Sequence, residues 1–263
     1  MAKSDCKQKT IAAAGAELSY LRAGKGKPVL VLHEELGDPG WLAWQRQLAE
    51  TRKVIVPLHP GFGVSPRIDW IRSVGDLANY YAQVMVEQDW VGADVIGFSF
   101  GGWIAAEMAA QNPDQFASLT LVAPMGIKPS QGVIRDLFEA PTEQYLAASV
   151  KDPAATEEFA ALFGGAMTPE QFERFQDATA EAARLAWQPY MNNPALYYRL
   201  GLVRDLPTLI LWGEDDAIVP VGAASLYQDA IRDVKLVLFK DCGHRPEIER
   251  TGKFLKKLAN HLS

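Results

Sequence analysis

Six short apolar runs punctuate the chain, at 28–33 (PVLVLH), 53–58 (KVIVPL), 93–98 (ADVIGF), 118–123 (SLTLVA), 207–212 (PTLILW) and 234–239 (VKLVLF). Each is rich in Val, Ile and Leu and shows no strict polar alternation. That is the pattern of a strand buried on both faces, as in a parallel sheet. Between them lie stretches with helical spacing, at 41–50, 74–89, 102–111, 220–231 and 250–261. Strands and helices alternating in this way predict a doubly wound α/β domain with a mostly parallel sheet.

From Ile127 to about Val203 the alternation stops, and only helical patterns remain. TPEQ at 168–171 places Thr at a cap, Pro at the first helical position and Gln three residues on, the signature of a helix start. DP at 152–153 predicts the start of another helix. The region therefore reads as a helical insertion between the run ending at Ala123 and the run starting at Pro207. Within 169–188, Phe172, Phe175, Ala183 and Trp187 fall near one helical face, expected to dock the insertion and to give some rings to a cleft.

A chain of 263 residues suits one sizeable domain carrying such an insertion. The net charge is −6 and no basic run occurs, which argues against nucleic acid or an anionic membrane surface as a partner. No segment reaches membrane-spanning length, and the first twenty residues lack the apolar core of a signal peptide. Cys6 and Cys242 make no disulfide framework. These features predict a cytoplasmic protein acting on a small molecule; oligomeric state is not legible.

The stretch VIGFSFGG (95–102) carries the chemistry. G-x-S-x-G between a buried strand and a helix makes a turn so sharp that flanking side chains would collide, so Gly97 and Gly101 stand there. Such a turn lifts the Ser99 hydroxyl above the sheet and aims a helix N-terminus at it, which favours negative charge developing nearby.

A serine nucleophile needs a base, and the base an acid. The chain has four histidines. His33 ends a strand and reads as structural. His59 follows a strand and could line the cleft, and His261, near the end of the last helix, reads as a solvent-exposed cation. His244 is placed differently, in KDCGHRPEIER, directly after the last apolar run and so at the carboxyl end of a strand. LWGEDDAIVP holds the equivalent place one strand earlier and offers Asp215 and Asp216.

With VLH (31–33), PGFGVS (60–65), GFSFGG (97–102), GEDDAIVP (213–220) and GHRPEIE (243–249) in this order, the chain resembles the α/β-hydrolase superfamily from about Leu18 to Leu262. The resemblance implies a core of 1–126 with 204–263 and a helical cap of 127–203. It implies Ser99 as nucleophile, His244 as base and Asp216 rather than Asp215 as acid. It further implies an oxyanion hole from the backbone N–H groups of Phe100 and Glu35. His33, Glu34, Phe98 and Trp187 are the cleft-lining candidates. Glu34 stands where the family usually has Gly, and His59 stands directly before PGFG, a stretch in which many members have an Asp instead.

The activity so implied is hydrolysis of an ester or related acyl bond of a small, largely apolar or aromatic substrate through an acyl-serine, without metal or organic cofactor. The alternatives are carbon–carbon bond hydrolysis of a diketone-like metabolite, or a ligand-binding member of low turnover.

Overall fold

The computed structural model describes residues 6–263. Two strands that the apolar pattern does not announce open the sheet. They are β1 (Lys7–Ala13) and β2 (Ala16–Ala23), an antiparallel hairpin. Its two-residue turn, Ala14–Gly15, has φ of 49° and 79°, the doubly positive pairing that matches the twist of a hairpin. β1 escapes notice because almost all its side chains face solvent.

The six apolar runs form β3 (Pro28–Leu32), β4 (Lys53–Pro57), β5 (Ala93–Phe98), β6 (Phe116–Val122), β7 (Thr208–Gly213) and β8 (Val234–Phe239). The eight strands lie in the order β1-β2-β4-β3-β5-β6-β7-β8. β2 meets β4 antiparallel, and every pairing from β4 to β8 is parallel. The chain runs outward from β3 to β4, then crosses back to β5 on the other side of β3. This reversal opens a crevice at the carboxyl ends of β3 and β5, where open α/β sheets place their sites. His33 and Ser99 follow those two ends directly.

Helices cover both faces: α1 (Ala43–Leu48), α2 (Val74–Glu87) and α3 (Ser99–Gln111) come before β6. α3 starts at Ser99 itself, three residues earlier than the sequence pattern places it. It is buried on all sides from Ser99 to Ala109, being packed on β5, β6 and α2. That enclosure explains its run of Gly and Ala.

Between β6 and β7 lie four helices and no strand: α4 (Thr142–Ala148), α5 (Glu157–Phe163), α6 (Pro169–Ala186) and α7 (Leu196–Leu200). Thr168 and Gln171 form the expected capping box of α6, with Pro169 in its first turn. The stripe expected on that helix is displaced. Its buried side chains are Phe175, Ala178, Thr179, Glu181, Ala182, Leu185 and Ala186, whereas Phe172 and Trp187 are about half exposed. Glu181 explains the rotation. Its buried carboxylate is held by Arg67 at 2.8 Å and Arg184 at 2.5 Å, and a buried charge must keep its partners. The expected helix at 152–153 is a turn instead. Asp152 Oδ1 accepts the N–H groups of Ala154 and Ala155, and α5 begins only at Glu157.

After the insertion come α8 (Gly222–Ala230), α9 (Pro246–Glu249) and α10 (Thr251–Ala259). α7 packs on α3 and α8, and Arg199 from α7 pairs with the buried Glu107 of α3 at 2.5 Å. Just beyond α10, His261 is half-buried and its Nε2 bonds the Leu119 carbonyl at 3.0 Å, so it is not the exposed cation expected. No described helix is long and apolar enough to cross a membrane.

Candidate active site

Ser99 has φ of 49°, a left-handed conformation that costs a non-glycine residue about 1–2 kcal/mol. The surroundings enforce it. A Cβ on Gly97 would overlap the Gly101 carbonyl oxygen, and one on Gly101 would overlap the carbonyl oxygens of Leu32 and His33. Strand β5, the turn, α3 and the end of β3 are therefore pressed together with no room for side chains at either flank. The N–H of Phe100 lies in the first turn of α3, where N–H groups have no intrahelical acceptor.

His244 lies in the loop after β8, and Asp216 in the loop after β7. The structure brings them together, with His244 Nδ1 2.7 Å from Asp216 Oδ2. Oδ1 of Asp216 accepts the N–H groups of Ile218 and Val219 at 2.8 and 2.9 Å. The carboxylate is thus fixed by backbone, and Trp212 Nε1 holds the same loop through the Val219 carbonyl at 3.2 Å. Asp215 turns outward to Lys151 at 2.9 Å and is 45% exposed, which separates the two acids. Ser99 Oγ and His244 Nε2 are both buried, and neither has a hydrogen-bond partner in the protein.

Burial works to lower the pKa of His244, but Asp216, and then Glu35 and Glu34, favour the imidazolium and raise it above 6.5. An imidazole held in this way gives up its proton above its ordinary range. The expected result is a kcat/KM profile that rises with pH through an acid limb centred above pH 7, read from initial rates on an activated ester. A limb at or below pH 6.5 would contradict it.

The loop after β3 is built on two stacked histidines, with His33 and His59 ring centroids 3.7 Å apart. His33 Nδ1 donates to the Glu34 carbonyl at 2.8 Å, and its Nε2 accepts the His59 N–H at 3.1 Å. His59 Nε2 donates to the His33 carbonyl at 3.1 Å, and its Nδ1 accepts from the Tyr81 hydroxyl at 2.6 Å. These partners suit two neutral rings, and burial pushes the His33 pKa down to about 4 and that of His59 well below 6.5. His59 is fully buried and borders neither of the two cavities beside His33. Both histidines act by holding the loop that carries the Glu35 N–H.

Glu34 is buried and its Oε1 accepts from Arg245 Nη2. Arg245, the residue after the base, also donates through Nε to Ser149 Oγ at 2.8 Å. The Ser149 carbonyl in turn accepts the His244 N–H at 2.9 Å. The end of α4 therefore clamps the base loop, and neither Arg245 nor Ser149 was legible in the sequence as part of it. Glu34 and Phe98, with Arg245 and Glu247, line a cavity of about 30 Å³, room for little more than a water. His33 borders it and also a larger one of about 280 Å³ that reaches Asp38, Phe62 and Arg174. Trp187 lines neither of these. Its exposed ring packs edge-on to Tyr190 and Phe138 on the insertion.

Arg245→Met is expected to lower stability by about 3–5 kcal/mol, because it strands the Glu34 carboxylate in the interior. Urea denaturation of the two proteins measures this, and a loss under about 1 kcal/mol would refute the pairing.

A strained serine elbow after one parallel strand, with an acid and a histidine at the ends of two later strands, defines an α/β hydrolase. The chain belongs to the Alpha/beta hydrolase family, whose sequence profile matches residues 29–256. It is 28% identical to a 2-hydroxymuconate semialdehyde hydrolase of Pseudomonas sp. (strain CF600), over 96% of this chain and 93% of that protein. It is 29% identical to a pimeloyl-[acyl-carrier protein] methyl ester esterase of Chromobacterium violaceum, over 91% of this chain and 95% of the relative. Among solved structures, a variant of a meta-cleavage product hydrolase from Pseudomonas fluorescens IP01 has the same fold, with a TM-score of 0.78 at 22% identity. That likeness covers 96% of each chain.

Proposed function

We propose that this protein is a serine hydrolase that cleaves an ester or related acyl bond of a small, largely apolar or aromatic substrate. The observation that carries the reading is the buried Asp216–His244 pair, whose free Nε2 and the free Oγ of the strained Ser99 stand at the carboxyl ends of neighbouring parts of one sheet. Ser99 Oγ attacks the carbonyl while His244 Nε2 takes its proton, and the same nitrogen returns that proton to the leaving group. Asp216 orients the imidazole and stabilises its cation. The N–H groups of Phe100 and Glu35 receive the oxyanion. Water, deprotonated by His244, then releases the acid from Ser99.

Residues 127–203 act as a cap over the 1–126 and 204–263 core in this reading. Its support is that Tyr145 of α4 and Ser149, just after that helix, reach the loops bearing Glu35 and His244.

The second reading is carbon–carbon bond hydrolysis, favoured by the likeness to the 2-hydroxymuconate semialdehyde hydrolase. Charge separates the two. Substrates named as dienoates, such as that of a Pseudomonas putida relative, carry a carboxylate. Here Arg245 is engaged by Glu34, Arg184 by Glu181 and Arg199 by Glu107, which leaves Arg174, on the 280 Å³ cavity, and Arg135 as the arginines of the insertion without an ion pair among the described residues. The test is a panel of p-nitrophenyl esters of graded acyl length beside a vinylogous diketone. Fast ester turnover is the expected result. Diketone cleavage with negligible ester turnover would transfer the assignment, and no turnover of either would leave a binding protein.

A further inference from the structure

Glu35 has a feature that the hydrolytic cycle does not use. The cycle needs its backbone N–H, yet its side chain is also turned inward and is 1% exposed. Oε1 accepts from the Tyr145 hydroxyl at 2.8 Å, and Oε2 is buried without any partner. A buried carboxylate oxygen left unpaired is costly, and a protein retains one where something else completes it. Ser99 Oγ and His244 Nε2 are buried and unpaired in the same way, and the reaction above engages both. The Tyr145 contact ties this carboxylate to α4 of the insertion, and its charge favours the protonated forms of His244 and Arg245. Glu247 Oε2 is unpaired too, but it borders the 30 Å³ cavity, which has no room for a substrate group.

We infer that Glu35 Oε2 takes a hydrogen-bond donor of the substrate, a hydroxyl or a protonated amine, beside the scissile carbonyl. The substrate class is then an ester whose apolar body carries one such group. Tyr145 fixes the orientation of the carboxylate by occupying its other oxygen, which leaves Oε2 as the acceptor. The same charge disfavours substrates with a carboxylate at that place, because two like charges in a water-poor site repel strongly. This inference rests on the serine-hydrolase reading, and its test reports on the two separately.

The experiment compares p-nitrophenyl benzoates bearing a meta-methyl, meta-hydroxymethyl, meta-aminomethyl or meta-carboxyl group, and a matching series of aryl acetates that places the group on the leaving side. Inhibition by phenylboronic acids with the same four groups gives a readout that needs no turnover. Fluorophosphonate labelling of Ser99 in each preparation tests the hydrolase reading alone. In at least one series the wild type should prefer a donor-bearing member over its methyl partner by about 10- to 100-fold, the range of one charge-assisted hydrogen bond. The carboxyl member should be the poorest. The relative response of hydroxymethyl and aminomethyl shows which donor is used.

In Glu35→Gln the aminomethyl preference should fall below about threefold and the carboxyl member should gain, whereas a hydroxyl can turn to accept from the amide. With Tyr145 still on Oε1, the amide presents its N–H₂ instead of an acceptor. Labelled wild-type enzyme with no donor preference in any series would overturn the inference, as would an aminomethyl preference that survives in Glu35→Gln. If that variant does not fold, the wild-type boronic acid series decides: donors that bind no tighter than the methyl compound refute it.

Discussion

Ser99→Ala is expected to abolish labelling by a fluorophosphonate and to lower kcat/KM for an activated ester by about 10⁴-fold or more. The labelled residue should be Ser99 alone, located by mass spectrometry of the digest. Among the described residues, only this hydroxyl combines a left-handed elbow at φ 49° with the first turn of a helix beside it. Because Ala also has a Cβ, the strain of the elbow persists and the variant tests chemistry rather than folding. Full labelling in Ser99→Ala would show that another nucleophile does the work.

Asp216→Asn is expected to lower kcat by about 10³-fold or more, while Asp215→Asn costs under about tenfold. The difference follows from where the two carboxylates point. Asp216 receives the His244 Nδ1 proton on one oxygen and two backbone N–H groups on the other. Those N–H groups compel the amide oxygen of Asn to stay with the backbone. Its N–H₂ then faces His244 Nδ1, which must accept and so places the ring proton on Nε2, where it can no longer take one from Ser99. Asp215 answers only to Lys151 at the surface, where an ion pair contributes about 1 kcal/mol or less. Single-turnover and steady-state rates on one ester rank the two variants, and the reverse ranking would move the acid to Asp215.

The elbow and the polar loops that follow β7 and β8 were legible because their physics is local. A glycine-flanked serine after a buried strand, and polar loops after later strands, occupy the places where a parallel sheet builds its sites. Choosing between Asp215 and Asp216 took more than the residues themselves, since both sit in one loop and differ only in which way the backbone turns them. The pattern of Val, Ile and Leu determined six strands and their mostly parallel arrangement, because strands buried on both faces must be apolar throughout.

Only the tertiary structure decided the rest, for two physical reasons. Elements that bury little leave no apolar signature, which is why β1 went unseen. Buried charges, in contrast, choose their surroundings by partners that are distant in sequence. Glu181 turned α6 so that Trp187 and Phe172 face outward, Arg245 drew Glu34 inward, and Tyr145 met Glu35 across the site. Each of these side chains is ordinary where it stands in the sequence. The cost of an unpaired charge, and so the orientation of the segment that bears it, is set only once the fold has brought the two partners together.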